Sequence, residues 1–337
     1  MFFSSDRIVF QWDTWMYFHD GVYYLYYLAK DKSKYGYWNC FGVATSTDGV
    51  EWKDYGIALA ASDKMVNILG TGSVWKSVDF DKTGIFICNY SEGRNDESGK
   101  PTQIICFAWS KDLIHWTKYG DEKNFTVDTR WYEKNGRWDC IFPVAREEGG
   151  YYGTWTATPI GKPLNGGIGF GYSKDGLHWE AVKPPEIIPD AYESGAICRI
   201  GKKYYCMFGE HREGWQFVMN TYTADSIEGP YKKSTRNTIL LAPGNTYFSR
   251  FFETPEGVFV NHHAISRFPD KDNLMITYFA PIKKVRIEQD GSLWLVYWKG
   301  NDKLKKIPFG YSHEFMKNLY ESCKLEYHGK EQELWKI

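Results

Sequence analysis

The stretch Gly169-Phe170-Gly171-Tyr172-Ser173-Lys174-Asp175-Gly176-Leu177-His178-Trp179 decides the reading of the chain, because it recurs. Gly42-Val43-Ala44-Thr45-Ser46-Thr47-Asp48-Gly49-Val50-Glu51-Trp52 and Phe107-Ala108-Trp109-Ser110-Lys111-Asp112-Leu113-Ile114-His115-Trp116 repeat it closely. Tyr222-Thr223-Ala224-Asp225-Ser226-Ile227-Glu228-Gly229-Pro230-Tyr231 repeats it more weakly. Each copy reads as a strand, a Ser/Asp/Gly turn, and an aromatic that starts a returning strand. Asp-Gly between alternating apolar residues is a hairpin signal. The turn aspartates stand 64, 63 and 50 positions apart, a repeat at the scale of a whole supersecondary unit.

A second hairpin precedes each of these. Its strands read Thr14–Phe18 with Val22–Leu28, Gly72–Lys76 with Gly84–Tyr90, Asp139–Val144 with Tyr151–Ala157, and Ser194–Ile200 with Lys203–Gly209. A fifth unit reads Tyr247–Phe252, Gly257–His263, Leu274–Ala280 and Val285–Trp298, closing on Asp290-Gly291. Two hairpins make a four-stranded antiparallel sheet, the blade of a propeller. The pattern therefore predicts an all-β, five-bladed β-propeller of four-stranded antiparallel blades over residues 1–300, with a short C-terminal extension at 301–337 packed on it. A sandwich or barrel would hold as many strands, but the spacing is too regular for either. The one helix candidate is 313–322, with Ser312 as its cap.

Composition agrees. The 337 residues carry 41 basic and 42 acidic side chains, so no charged footprint for nucleic acid or a lipid surface exists. A mean hydropathy of −0.50, with no run of 18 apolar residues, excludes a membrane-spanning helix. Aromatics make up 18% of the chain, far too many for disorder. The seven cysteines are scattered without CxxC pairs, which points to reduced, packed thiols. With no signal peptide visible in the opening residues, the expected location is cytoplasmic. Phosphate-loop, dinucleotide-loop, zinc-helix and nucleophile-elbow motifs are all missing.

Function in a propeller gathers where the innermost strands converge on the central channel. Three carboxylates open innermost strands: Asp13 between Trp12 and Thr14, Asp139 between Trp138 and Cys140, and Glu193 between Tyr192 and Ser194. Each is costly to desolvate, so three at comparable positions need a reason. Glycoside hydrolysis supplies one: a nucleophile or base, a protonated acid, and a third group that stabilises an oxocarbenium-like sugar. Singly, each acid reads equally well as a turn or loop residue bonding its own backbone.

With these residues in place, the chain resembles the five-bladed propeller glycosidases, above all glycoside hydrolase family 32 and its relatives, families 43 and 68. Asp13 followed by Asp20-Gly21 is similar to that family's opening Asn-Asp-Pro-Asn stretch and its following turn. Thr71-Gly72-Ser73-Val74 resembles its Ser-Gly-Ser-Ala, Arg137-Trp138-Asp139 its Arg-Asp-Pro, and Glu193-Ser194-Gly195 its Glu-Cys-Pro. The resemblance implies Asp13 as nucleophile, Glu193 as general acid/base and Asp139 as transition-state stabiliser. The neighbours depart from the family: Trp12 stands where it has Asn, Thr14-Trp15 where it has Pro-Asn, and the later motifs lack Pro.

The expected activity is hydrolysis of a terminal sugar, a furanose of fructoside or arabinofuranoside type, from a small oligosaccharide or glycoside. A retaining mechanism is favoured, with about 5–5.5 Å between the Asp13 and Glu193 carboxyl groups and a raised Glu193 pKa. The other reading is a non-catalytic carbohydrate-binding propeller. Trp12, Trp15, Ser73, Trp75, Arg146, Glu210, His211, Arg250 and His262 are the expected substrate-binding residues, with Trp155 a further stacking candidate. Of His262 and His263, alternation turns one inward and the other outward. No metal or other cofactor is expected, and the expected partner is a small carbohydrate.

Overall fold

The computed structural model describes residues 3–8, 10–31, 38–162, 167–184, 193–212, 215–234, 236, 246–268, 274–305, 325–327 and 330–332. At 193–195, 210–212, 215–218, 246–248, 265–268, 274–276, 325–327 and 330–332 it describes the backbone alone. The helix expected at 313–322 lies outside these residues. The chain divides into two units at Asn301 and Asp302.

The first unit is a five-bladed β-propeller of antiparallel sheets. Blade 1 runs β1 (Phe10–His19), β2 (Val22–Lys30), β3 (Cys40–Ser46) and β4 (Lys53–Ala60). Blade 2 runs β5 (Ser73–Lys76), β6 (Phe86–Asn95), β7 (Pro101–Ser110) and β8 (Thr117–Lys118). Blade 3 is β9 (Trp138–Ala145), β10 (Tyr151–Ala157), β11 (Ile168–Ser173) and β12 (Trp179–Ala181). Blade 4 is β13 (Glu193–Ile200), β14 (Lys203–Arg212), β15 (Trp215–Ala224) and β16 (Lys232–Lys233).

Blade 5 differs from the expected order. It contains β17 (Thr246–Thr254), β18 (Gly257–Phe268), β19 (Leu274–Phe279), β20 (Lys283–Ile287) and β21 (Leu293–Tyr297). The long β18 pairs with β19 through its C-terminal half, His263–Phe268, and with β20 at Phe259 and Val260. The third and fourth blade positions therefore belong to β20 and β21, joined across Asp290-Gly291, and β19 is an additional strand. In the second unit, β22 (Leu325–Tyr327) and β23 (Lys330–Gln332) form a hairpin.

The recurring Ser/Asp/Gly segment is a capped connection of five or six residues where the sequence reading expects a tight hairpin turn. In Thr47–Trp52 the Ser46 hydroxyl accepts the Gly49 N–H at 2.8 Å, and Asp48 Oδ1 accepts those of Val50 and Glu51. Ser110 with Asp112 and Ser173 with Asp175 repeat the device. The third residue after the serine is left-handed each time: Gly49 at φ +70°, Leu113 at +64°, Gly176 at +77°. Side chains thus supply the acceptors that the turn backbone lacks.

The core lies in the wedges between blades. Trp15, Tyr26, Phe41, Phe86 and Cys106 fill the wedge between blades 1 and 2. Trp75, Phe107, Trp138 and Trp155 fill that between blades 2 and 3, and Met16, Leu25, Phe252, Phe259 and Trp298 that between blades 5 and 1. The six described cysteines are free and buried. The first strands touch in cyclic order, β1, β5, β9, β13, β17 and back to β1. The N-terminus closes the ring as well: Phe3 bridges Phe279, whose N–H donates to the Phe3 carbonyl at 2.8 Å.

Candidate active site

Each inner strand carries an irregularity near its start. In β1, Trp12 and Asp13 together face Leu28 alone, since Gln11 pairs with Ala29 and Thr14 with Tyr27. In β9, Cys140 and Ile141 face Trp155. One extra residue also enters β13 at Gly195 and β17 at Phe248. Before β5, residues 70–72 span what two residues span on β6, between the Leu69–Glu92 bridge and the Ser73–Asn89 pair. An extra residue bends a strand and re-aims its side chains. Cys140 sits at φ +40°, a strained conformation for a residue with a Cβ, directly after Asp139.

The starts of β1 and β9, with the segment before β5, line a pit of 160 Å³. Asp13, Trp12, Trp38, Thr71, Arg137 and Asp139 are among its lining residues, with Ile68, Leu69 and Gly70 along one side. Two of the three expected acids thus share one concavity, and both are largely buried, Asp13 at 9% and Asp139 at 8% exposure. The third, Glu193, heads β13 and pairs in register with Gly209, but its side chain lies outside those described.

Asp139 is held from two sides. The Ser91 hydroxyl, fully buried on β6, donates to Oδ1, and Arg137 Nη2 lies 3.3 Å from Oδ2. Gly70 packs flush against this carboxylate, where a Cβ would fall 2.6 Å from Oδ1. Asp13 Oδ1 stands 3.4 Å from His263 Nδ1. Burial, with the Arg250 guanidinium adding to it, pulls the His263 pKa down to about 3, so a neutral imidazole faces the carboxylate at ordinary pH. His263 also packs on Trp12 at 5.0 Å between ring centroids. Trp12 and Trp38 stack at 5.7 Å and 9° and give the pit an aromatic wall.

The expected substrate-binding residues divide. Trp12 lines the pit. Trp15 and Trp75 do not: both are nearly fully buried inter-blade residues, Trp15 stacked on Tyr26 and Trp75 donating from Nε1 to the Gly176 carbonyl at 3.1 Å. Trp155 is fully buried in the same wedge as Trp75. Ser73 bonds the Ile141 carbonyl of the next blade and lines a second, 370 Å³ cavity farther along the inner strands. Arg250, 1% exposed, lines that second cavity and not the pit, and donates to Thr71 Oγ1 at 2.7 Å and to the Thr14 carbonyl at 3.3 Å. It braces the site without lining it.

Arg146 stands past the far end of β9, paired with Glu148 and packed over Tyr152. His262 points away from the pit toward Lys283 Nζ, and its neighbour His263 takes the inward position. Glu210 and His211 fall on β14 at the end where Glu193 starts, and their side chains lie outside those described. Sequence reasoning missed Trp38, Thr71, Ser91 and Arg137 as site residues, and of the histidine pair it took His262 where His263 turns inward. Thr71 and Arg137 stood inside the quoted motifs, whereas Ser91 and Trp38 lie where no motif pointed. Among the described residues no three His, Cys, Asp or Glu side chains gather as a metal site.

The geometry provides two fixed carboxylates facing one small polar and aromatic pit, an arrangement suited to charge stabilisation on a bound sugar. In sequence, residues 13–142 match the model of the glycosyl hydrolases family 32 N-terminal domain. No curated protein matches the chain. In structure it is similar to the GH32 beta-fructofuranosidase of Bombyx mori, with a TM-score of 0.69 and 13% identity over 88% of this chain and 64% of that one. It is similar to the sucrose-6-phosphate hydrolase of Lactobacillus gasseri at a TM-score of 0.68 and 16% identity, over 89% of this chain and 65% of the other. A thermostable family-43 glycoside hydrolase superposes with a TM-score of 0.55 and 19% identity, covering 85% of this chain and 92% of that one. At these identities the likeness is one of fold, and the chain spans less than two thirds of the length of the first two. In fold across its propeller, and in sequence across residues 13–142, this chain resembles the five-bladed β-propeller glycosidases of family 32.

Proposed function

We propose that the chain is a glycoside hydrolase that removes a terminal furanose, of fructoside or arabinofuranoside type, from a small oligosaccharide or glycoside. The observation that carries this reading is the shared pit: Asp13 from blade 1 and Asp139 from blade 3 line one 160 Å³ concavity beside the Trp12–Trp38 wall. In the proposed mechanism Asp13 attacks the anomeric carbon and displaces the aglycone, whose oxygen takes the Glu193 proton. Glu193 then deprotonates the water that releases the sugar, so configuration is retained. Asp139, fixed by Ser91 and Arg137, offsets positive charge developing on the ring. The buried, neutral His263 places no competing cation beside the nucleophile.

The test is turnover of a panel of aryl furanosides and small fructosides by the wild-type chain and by Asp13→Asn and Glu193→Gln. Each variant is expected to lose at least about 10³-fold in kcat/KM. NMR of the first-formed anomer is expected to show retention. Full activity in either variant removes that residue from the mechanism. Sugar binding with no turnover on any substrate replaces the hydrolase with a carbohydrate-binding propeller.

A further inference from the structure

One buried ion pair lies outside the chemistry just described. Glu92 on β6 is fully buried, and Arg94, two residues on, is 7% exposed. Their side chains meet at 2.7 Å, Arg94 Nη2 to Glu92 Oε2. A buried pair repays its desolvation only with good geometry and further hydrogen bonds, and in some proteins what it contributes is a specific arrangement and not stability. Apart from the contact of Arg94 Nη2 with Cys106 Sγ on β7, the further bonds here go to two connecting segments. Glu92 Oε1 accepts the Ser62 N–H at 2.7 Å, and Oε2 accepts the Ser62 hydroxyl at 2.6 Å. Arg94 reaches the same hydroxyl with Nη2, at 3.3 Å, and Asp121 Oδ1 with Nη1, at 3.1 Å. Lys64 closes the loop onto Asp121 from outside.

Both segments lead into the pit. The one starting at Ser62 runs through Ile68, Leu69, Gly70 and Thr71, which line it. Backbone bonds register it on β6, Val66 N–H to the Gly93 carbonyl and Gly70 N–H to that of Ser91, and Leu69 N–H ties it to the Trp38 carbonyl of blade 1. Gly93 leaves no room for a side chain, since its Cβ would fall 1.7 Å from Asn67 Oδ1. The second segment leaves Asp121 for Phe125, whose carbonyl accepts Trp138 Nε1–H at 2.9 Å, and continues to Arg137 and Asp139. Lys64, with Arg94 adding to it, holds the Asp121 carboxyl down to about 2, so that anchor stays charged across the working pH range.

We infer that Glu92 and Arg94 form a positioning clamp that sets the blade 1–2 and blade 2–3 connections as the two walls of the pit, and with them the seat of the sugar beside Asp139. The activity part of this inference rests on the glycosidase reading, and its structural part does not. The experiment compares wild-type, Glu92→Gln, Arg94→Met and Arg94→Lys full-length chains by steady-state kinetics on the best furanoside, thermal melting, and backbone hydrogen exchange without substrate. Glu92→Gln and Arg94→Met are expected to lose tenfold or more in kcat/KM, with KM rising more than kcat falls. Exchange at residues 62–70 should quicken, and Arg94→Lys should recover part of both losses.

A melting temperature that falls while kcat/KM per folded molecule stays within twofold of wild type, and exchange at 62–70 stays unchanged, reduces the pair to a stability element and overturns the proposal. If Glu92→Gln does not fold, Asp121→Asn and Lys64→Ala act on the solvent-facing end of the network and are read the same way. If the wild type turns over no glycoside, the function reading fails, while exchange at 62–70 still decides the clamp.

Discussion

Gly70→Ala puts the wall beside Asp139 to the most direct test. Gly70 is not in the left-handed region, so its backbone accepts an alanine, and the neighbours alone demand glycine. A Cβ at Gly70 would lie 2.1 Å from Ser91 Oγ and 2.6 Å from Asp139 Oδ1, where ordinary contact begins near 3.4 Å. The Ser91 hydroxyl must therefore retreat about 1.3 Å and the Asp139 oxygen about 0.8 Å. Ser91 is fully buried, so turning it away breaks its bond to Asp139. A misplacement near 1 Å in a catalytic constellation costs about 100-fold, or about 2.7 kcal/mol of transition-state stabilisation. Overpacking in a filled site costs about 1–3 kcal/mol of stability. Gly70→Ala is thus expected to fold, to melt a few degrees lower, and to lose about 100-fold in kcat/KM, mostly in kcat. Ser91→Ala, which removes the bond without adding bulk, should lose about tenfold. Steady-state kinetics with melting curves read both variants. Wild-type kcat/KM in Gly70→Ala would refute the reasoning, because Asp139 would have moved without consequence.

The two classes of tryptophan are expected to separate cleanly. Trp12→Ala, in the pit wall, should raise KM about tenfold with little change in melting temperature. Trp75→Ala, in the wedge between blades 2 and 3, should cost about 3–5 kcal/mol of stability and leave KM unchanged, and the reverse pattern would overturn both assignments. The buried histidines make stability depend on pH. Burial lowers His262 and His263 to about 3, helped by Lys283 and Arg250 respectively, so unfolding takes up protons between about pH 3 and 6.5. Stability is therefore full above the unfolded value and declines as pH falls, by about 2 kcal/mol per ring at pH 5 relative to pH 7.5. Urea unfolding at the two pH values checks this, and equal midpoints would mean that neither ring is held neutral.

Much of the propeller was legible in the sequence because its units repeat at the level of turn chemistry. The Ser-x-Asp pairs that cap backbone N–H groups mark the same corner of blades 1, 2 and 3, and strands follow at regular offsets. Blade 5 escaped because β18 is long enough to pair with two different strands, and only the register distinguishes them. That Asp13, Asp139 and Trp12 would line one pit was legible from their place at inner-strand starts. Trp15 and Trp75 were misread because a wedge between blades selects bulky aromatics as strongly as a sugar-stacking wall does. Alternation said that one of His262 and His263 turns inward, but which one depends on how β18 sits against β17 and β20. Ser91 has no local signature, since its role exists only through Asp139, 48 residues away.

The irregular strand starts explain why the site resists a period-two reading. On a regular strand, neighbouring residues face opposite sides of the sheet. Yet Trp12 and Asp13 both line the pit, as do Asp139 and Cys140, and Gly70 and Thr71. Adjacent residues share a face there because an extra residue enters each strand at or beside that point, and the left-handed Cys140 shows the local cost in blade 3. The same insertion recurs in β13 and β17, whose starts bear no described pit-lining side chain. The bulge therefore belongs to the inner edge of this ring as a whole, and the acids exploit it. A blade needs only one carboxylate at or next to its inserted residue to present it, together with a neighbour, to the common pit. That accounts for Asp13 and Asp139 reaching one pit from separate blades while the residues around them vary.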